Sequence, residues 1–166
     1  QSKVIKEENF DWFKKNTKSV KLKFPSLKTD LDGLYENLRK SKRPLVVAGY
    51  GIHLANQRKE FLNFIEKTSL PFVSTYLGID YVPFNNRYFI GRLGTKGDRA
   101  GNFSINKSDF VLVLGSSLNI TVTGFQYNFF AEDAQICIVD IDNQEKQKNN
   151  IRCSQYINSD LKDFFK

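Results

Sequence analysis

The sequence predicts an α/β domain, with a mostly parallel sheet held between two layers of helices. Three observations carry that expectation. The apolar runs Leu45-Val46-Val47-Ala48, Phe110-Val111-Leu112-Val113-Leu114 and Ile136-Cys137-Ile138-Val139 do not alternate with polar residues, so as strands they need cover on both faces. Stretches of helical spacing separate these runs and are long enough to make crossover connections. The 166 residues are 40% hydrophobic and 26% charged, with 14% aromatic, the balance of one ordinary globular domain. A chain of that size buries a core without needing a disulfide or metal to close it.

The elements follow in order. Thr29-Asp30-Leu31-Asp32 caps a helix that reaches Lys40, and Leu31, Leu34, Tyr35 and Leu38 recur on one side of it. Pro44 closes that helix off, and the strand Leu45-Val46-Val47-Ala48 runs into Gly49-Tyr50-Gly51. A helix over about 55–67 turns Phe61, Leu62 and Ile65 inward, and Pro71-Phe72-Val73-Ser74-Thr75 makes a second strand. The stretch 76–97 reads as loop because it holds Pro83, Asn85-Asn86 and the glycines Gly78, Gly91, Gly94 and Gly97. Asp98 caps a helix to Asn106, after which Phe110 to Leu114 is the strongest strand in the chain and ends at Gly115. A loop and helix continue through Phe130, then a strand over 135–142, a short helix over 143–149, a strand near 155–157 and a helix over 159–165. The glycine-bearing loops are thereby expected at the carboxyl ends of the strands, where ligands of such sheets bind.

Charge and cysteine content exclude several classes. The formal charge is +7, yet residues 1–43 hold 12 Lys or Arg against 6 Asp or Glu, while 44–166 hold 13 against 12. The basic excess is therefore local, and it reads as a solvated connecting segment over residues 1–28. A phosphate-binding arm is the functional alternative, but no recognition helix, zinc finger or RNA-binding aromatic motif accompanies it. Cys137 and Cys153 are too few for a disulfide framework, and with one histidine they cannot build a Cys/His zinc site. No apolar run approaches the roughly 20 residues of a membrane span and no signal pattern opens the chain, so a soluble, cytoplasmic protein is expected, with neither membrane nor nucleic acid as a partner. The chain contains no methionine and begins at Gln1, which suggests a fragment of something longer.

The chemistry-bearing motifs are modest. Gly49-Tyr50-Gly51 places backbone amides near a helix N-terminus, which favours an anion, but a tight turn needs the same glycines. The third glycine of a dinucleotide fingerprint would fall at Leu54, and the next strand closes with Ser74-Thr75 rather than an acid. The loop Gly91-Arg92-Leu93-Gly94-Thr95-Lys96-Gly97 lacks the lysine-serine/threonine ending of a P-loop, which argues against nucleotide hydrolysis. Asp140-Ile141-Asp142 sets two carboxylates on one side of an extended chain, able to accept from a ribose or adenine or to cap the next helix. His53 is the one imidazole, with no nucleophile elbow near it, and it reads as structural or pocket-lining. No catalytic residue and no metal ligand is assigned.

Taken together, Pro44 to Leu54, Leu70 to Thr75, Gly91 to Gly97, Ser108 to Gly115, Val122-Thr123-Gly124 and Ile138 to Asp142 resemble the Rossmann-like central domain of thiamine-diphosphate-dependent enzymes, nearest to the acetolactate synthases. The resemblance covers about residues 30–166 and implies a domain over 29–166 with 1–28 as interdomain linker. It implies a parent chain with a pyrimidine-binding domain before and a pyrophosphate-binding domain after, binding thiamine diphosphate and magnesium between them and assembling as a homo-oligomer. The parent would decarboxylate a 2-oxo acid and transfer the fragment, and this domain would be a non-catalytic scaffold, inactive alone. Family members that hold FAD here line it at positions that become Gly49, Gly51, Thr75, Tyr76, Leu77, Gly94, Thr95, Lys96, Gly97, Gly115, Ser116, Asp140 and Ile141. Those members read Gly-Ala-Arg-Phe-Asp-Asp-Arg-Val-Thr-Gly where this chain reads Gly115-Ser116-Ser117-Leu118-Asn119-Ile120-Thr121-Val122-Thr123-Gly124. Ser117 and Thr121 replace the arginines, so weak or absent FAD binding is expected. Two rival readings are a free-standing nucleotide-binding module or NAD-linked enzyme, and a nucleic-acid-binding protein using the basic arm.

Overall fold

A computed structural model describes residues 27–148 and 151–166. The basic segment proposed over 1–28 thus lies almost wholly outside the described residues. Helix α1 spans Leu27–Lys40 and leads to strand β1, Pro44–Ala48. Next come α2, Gly51–Leu54, α3, Arg58–Thr68, and β2, Phe72–Ser74. A 3-10 turn at Tyr76–Tyr81 precedes β3, Phe89–Arg92, and α4, Arg99–Lys107. Strand β4, Phe110–Leu114, is followed by α5, Ile120–Thr123, and a 3-10 turn, Tyr127–Phe129. Strand β5, Gln135–Asp140, a 3-10 turn at Asn143–Gln147, β6, Cys153–Asn158, and α6, Leu161–Phe164, complete the fold.

All six strands are parallel, in the order β3-β2-β1-β4-β5-β6. The direction of winding reverses between β1 and β4, which makes that pair the switch point of a doubly wound sheet. Because side chains alternate along a strand, Val46 and Ala48 join Leu34, Ile52, Phe61, Ile65 and Leu161 on one face. Leu45 and Val47 join Ile105, Leu118, Val122 and Phe130 on the other. The expected three layers are present, with unbroken apolar strands covered on both sides.

Four local expectations are corrected. Helix α1 starts at Leu27, before the Thr29-Asp30-Leu31-Asp32 cap, whose residues lie within its first turns. The helix expected over 55–67 runs instead over Arg58–Thr68, and a separate short helix, α2, precedes it where only a glycine turn was expected, with Asn56 at φ 55° turning the chain between the two. The loop over 76–97 contains a 3-10 turn and the edge strand β3, in which Gly91 sits mid-strand rather than at a strand end. The helix through Phe130 shrinks to the four residues of α5 and a 3-10 turn, since Gly124 at φ 78° ends α5.

Candidate functional site

The carboxyl ends of the strands open onto a cleft of about 760 Å³. Its floor is backbone. The amide of Gly49 donates to the carbonyl of Leu114 at 2.9 Å, and that of Gly51 to the carbonyl of Gly115 at 2.9 Å. A Cβ at Gly51 would lie 2.7 Å from the Cα of Gly115, so only glycine lets the loops after β1 and β4 close this tightly. Gly115 also needs its freedom of backbone, at φ 60°.

The walls follow the strand order. After β3, Thr95 and Lys96 form one end, and the Lys96 ammonium stands 5.3 Å from the centre of the Tyr76 ring. Thr95 is tied to α5 by its amide, which donates to the carbonyl of Thr121 at 2.9 Å. Behind it, the Asn102 side chain grips Gly94 by both backbone groups, accepting from the amide at 2.9 Å and donating to the carbonyl at 3.0 Å. Thr75, Tyr76 and Leu77 come from β2's end, and Tyr50, Leu54 and Ala55 from β1's. Tyr50 stacks on the exposed His53 with ring centres 5.1 Å apart, and His53 itself does not line the cleft. Ser116, Ser117, Asn119 and Thr121 line the centre, after β4.

The far end is acidic, carrying Asp140, Asp142, Glu145 and Asp160. Strand β5 stops at Asp140 because its Oδ1 accepts from the amide of Asp142 at 3.0 Å, bending the chain. The extended Asp140-Ile141-Asp142 arrangement is therefore corrected to a turn, and Asp142 caps the following 3-10 segment through the amide of Gln144 at 2.9 Å. Burial pushes the Asp140 carboxyl above its ordinary range, and the nearby charges of Glu145 and Asp142 add to this. The Tyr156 hydroxyl donates to the carbonyl of Asp142 at 2.5 Å, and burial raises its pKa too.

Of the positions singled out in sequence, Gly51, Thr75, Tyr76, Leu77, Thr95, Lys96, Gly115, Ser116, Asp140 and Ile141 line one cleft. Gly49, Gly94 and Gly97 do not line it, and each is packed closely against backbone. A Cβ on Gly49 would meet the Gly115 carbonyl at 2.2 Å, on Gly94 the Thr121 carbonyl at 2.2 Å, and on Gly97 the Arg92 carbonyl at 2.6 Å. Residues that sequence reasoning passed over are Leu54, Asn119, Glu145 and Asp160. The missing signal was topological, since these residues lie on the segments that follow β1, β4, β5 and β6 and meet only at the carboxyl edge of the parallel sheet.

Beside the cleft, across α5, lies a second hollow of about 540 Å³ lined by Leu93, Gly94, Ile105, Val122, Phe125 and Phe129 among others, none of them charged. Phe125 is 82% exposed there. Among the described residues no group of three or more His, Cys, Asp or Glu could hold a metal ion, and no helix is long and apolar enough to cross a membrane.

A backbone-floored cleft at the switch point of a doubly wound sheet defines a ligand-crevice domain of the α/β type. Residues 31–166 match the family described as thiamine pyrophosphate enzyme, central domain, and the chain belongs to that family. The large subunit of acetolactate synthase isozyme 2 from Escherichia coli (strain K12) is 28% identical over 137 residues, covering 82% of this chain and 24% of the relative. The acetolactate synthase large subunit of Lactococcus lactis subsp. lactis (strain IL1403) is 33% identical over 132 residues, covering 80% and 23%. A probable sulfoacetaldehyde acetyltransferase of Rhizobium meliloti (strain 1021) is 34% identical over 106 residues, covering 63% and 18%. The chain spans a quarter or less of the length of these relatives.

Proposed function

We propose that this chain works as the scaffold domain of a larger thiamine-diphosphate-dependent enzyme of the acetolactate synthase kind, which decarboxylates a 2-oxo acid and transfers the fragment. The family match over residues 31–166 carries this reading. Residues 29–166 form the domain, and 1–28 link it to a preceding one. Thiamine diphosphate, acting as electron sink with its magnesium, belongs to flanking domains, so this chain supplies packing and subunit contacts rather than reacting groups. The uncharged hollow beside Phe125 and Phe129 supports that role, because exposed aromatics around a recess that mixes apolar and neutral polar groups suit a protein neighbour. A flanking domain of the same parent is the neighbour proposed.

FAD is the cofactor that the resemblance brings to the cleft. The residues present do not fit its diphosphate, since the lining offers one ammonium against four carboxylates and no guanidinium.

The test uses two proteins. The chain alone, titrated calorimetrically with thiamine diphosphate and magnesium, is expected to give no heat. The full-length parent, given the same cofactors and pyruvate, is expected to release carbon dioxide. Cofactor binding by the isolated chain, or a cofactor-saturated parent inert toward 2-oxo acids, would sink the reading.

A further inference from the structure

We infer that the cleft rejects a flavin dinucleotide and accepts in its place an uncharged, ring-bearing ligand that donates hydrogen bonds, as riboflavin does. The argument rests on the order of charge along the sheet. Lys96 stands at the β3 end, while Asp140, Asp142, Glu145 and Asp160 cluster beyond β5 and β6. Lys148 holds Glu145 at 2.6 Å, but no ion pair to Asp140, Asp142 or Asp160 occurs among the described residues.

The centre of the cleft has little to compensate an anion, for the one ammonium that reaches it among the described residues, Lys148, donates to the Ser117 carbonyl at 3.3 Å and is held by Glu145 at 2.6 Å. It offers the hydroxyls of Ser116, Ser117 and Thr121 and the amide of Asn119. The Asn119 oxygen is already engaged, accepting from the Thr121 amide at 3.0 Å and from its hydroxyl at 2.6 Å. A diphosphate held here would lose hydration beside like charges, with no bidentate cation to replace it.

An uncharged ring meets the opposite situation. Tyr50, Leu54, Tyr76 and Leu77 provide aromatic and apolar wall, and ionised carboxylates accept hydrogen bonds from hydroxyl groups. This inference takes from the proposed function only the location of the site. Its readout is binding to the chain, so failure of the parent's chemistry would leave it standing, and the reverse.

The experiment is calorimetric titration of the full chain with riboflavin and with FAD, at low and raised salt. Riboflavin is expected to bind at least about tenfold more tightly than FAD, and FAD affinity should rise as salt screens the carboxylates. The double variant Asp142→Asn with Asp160→Asn keeps the capping oxygens and removes the charges. With thermal unfolding unchanged, it is expected to raise FAD affinity by about tenfold. FAD binding as tightly as riboflavin, FAD affinity that falls with salt, or binding of neither flavin would overturn the inference.

Discussion

Two aspartates, of which only Asp140 lines the cleft, answer pH in opposite directions. Asp98 accepts from the Arg92 guanidinium at 2.8 Å and from its backbone amide at 2.8 Å, which holds its carboxyl below the ordinary range. A carboxyl lowered in the fold adds stability above its unfolded pKa and loses it as pH falls through the folded value. Asp98→Asn is therefore expected to lower the urea midpoint at neutral pH, with the gap to the parent chain closing in acid. Asp140 is raised by burial, so its contribution is full below the unfolded pKa and lost as pH rises through the folded one. Asp140→Asn should stabilise the fold at neutral pH and make no difference well below the carboxylate range, and a midpoint series against pH reads both signs. Glycines divide in the same way. Gly51→Ala drives a Cβ into the Gly115 backbone and is expected to cost about 1 to 3 kcal/mol by overpacking. Gly124→Ala meets nothing within 4 Å, so any loss there comes from its φ of 78° alone.

Among the elements, α5 is short but well fixed, and it anchors the Lys96 end of the cleft. Asn119 caps it, while the Thr121 carbonyl receives the Thr95 amide. Asn119→Ala is expected to lower stability by about 1 kcal/mol, measured by urea unfolding, and to loosen the 94–97 loop in hydrogen exchange. The strands β1, β4 and β5 were legible because Val47, Val113 and Ile138 belong to apolar runs with no polar break. Strand β3 was not, because Phe89-Ile90-Gly91-Arg92 carries a glycine mid-strand and a charged last residue. Its identity as a strand comes from pairing with β2, a non-local fact. Asp98 was legible as the residue before a helix, yet its carboxylate serves Arg92 instead of capping, which a local motif cannot reveal.

The two cores share one sheet, so damage on either face should be felt by the whole molecule. Phe61 is fully buried and meets Phe72 edge-on at 5.2 Å, and Phe61→Ala is expected to cost about 3 to 5 kcal/mol. Fluorescence and circular dichroism should then shift together in a single unfolding transition. Cys137 offers an independent check, since burial pushes its thiol up to about 12 and modification should wait for opening of the sheet. At this scale the layered fold was readable from periodicity, and the cleft's position from the parallel order. The acidic end was not, because Asp140, Glu145 and Asp160 converge only once β5 and β6 lie side by side. The glycine floor has a consequence for change over time. Where Gly51 and Gly115 touch, backbone presses on backbone, and a point mutation there damages the scaffold before it can alter a preference. New ligand tastes in this domain must therefore arise from the rim, at positions such as Leu54 and Leu77, whose exposed side chains can be exchanged without disturbing the base on which they stand.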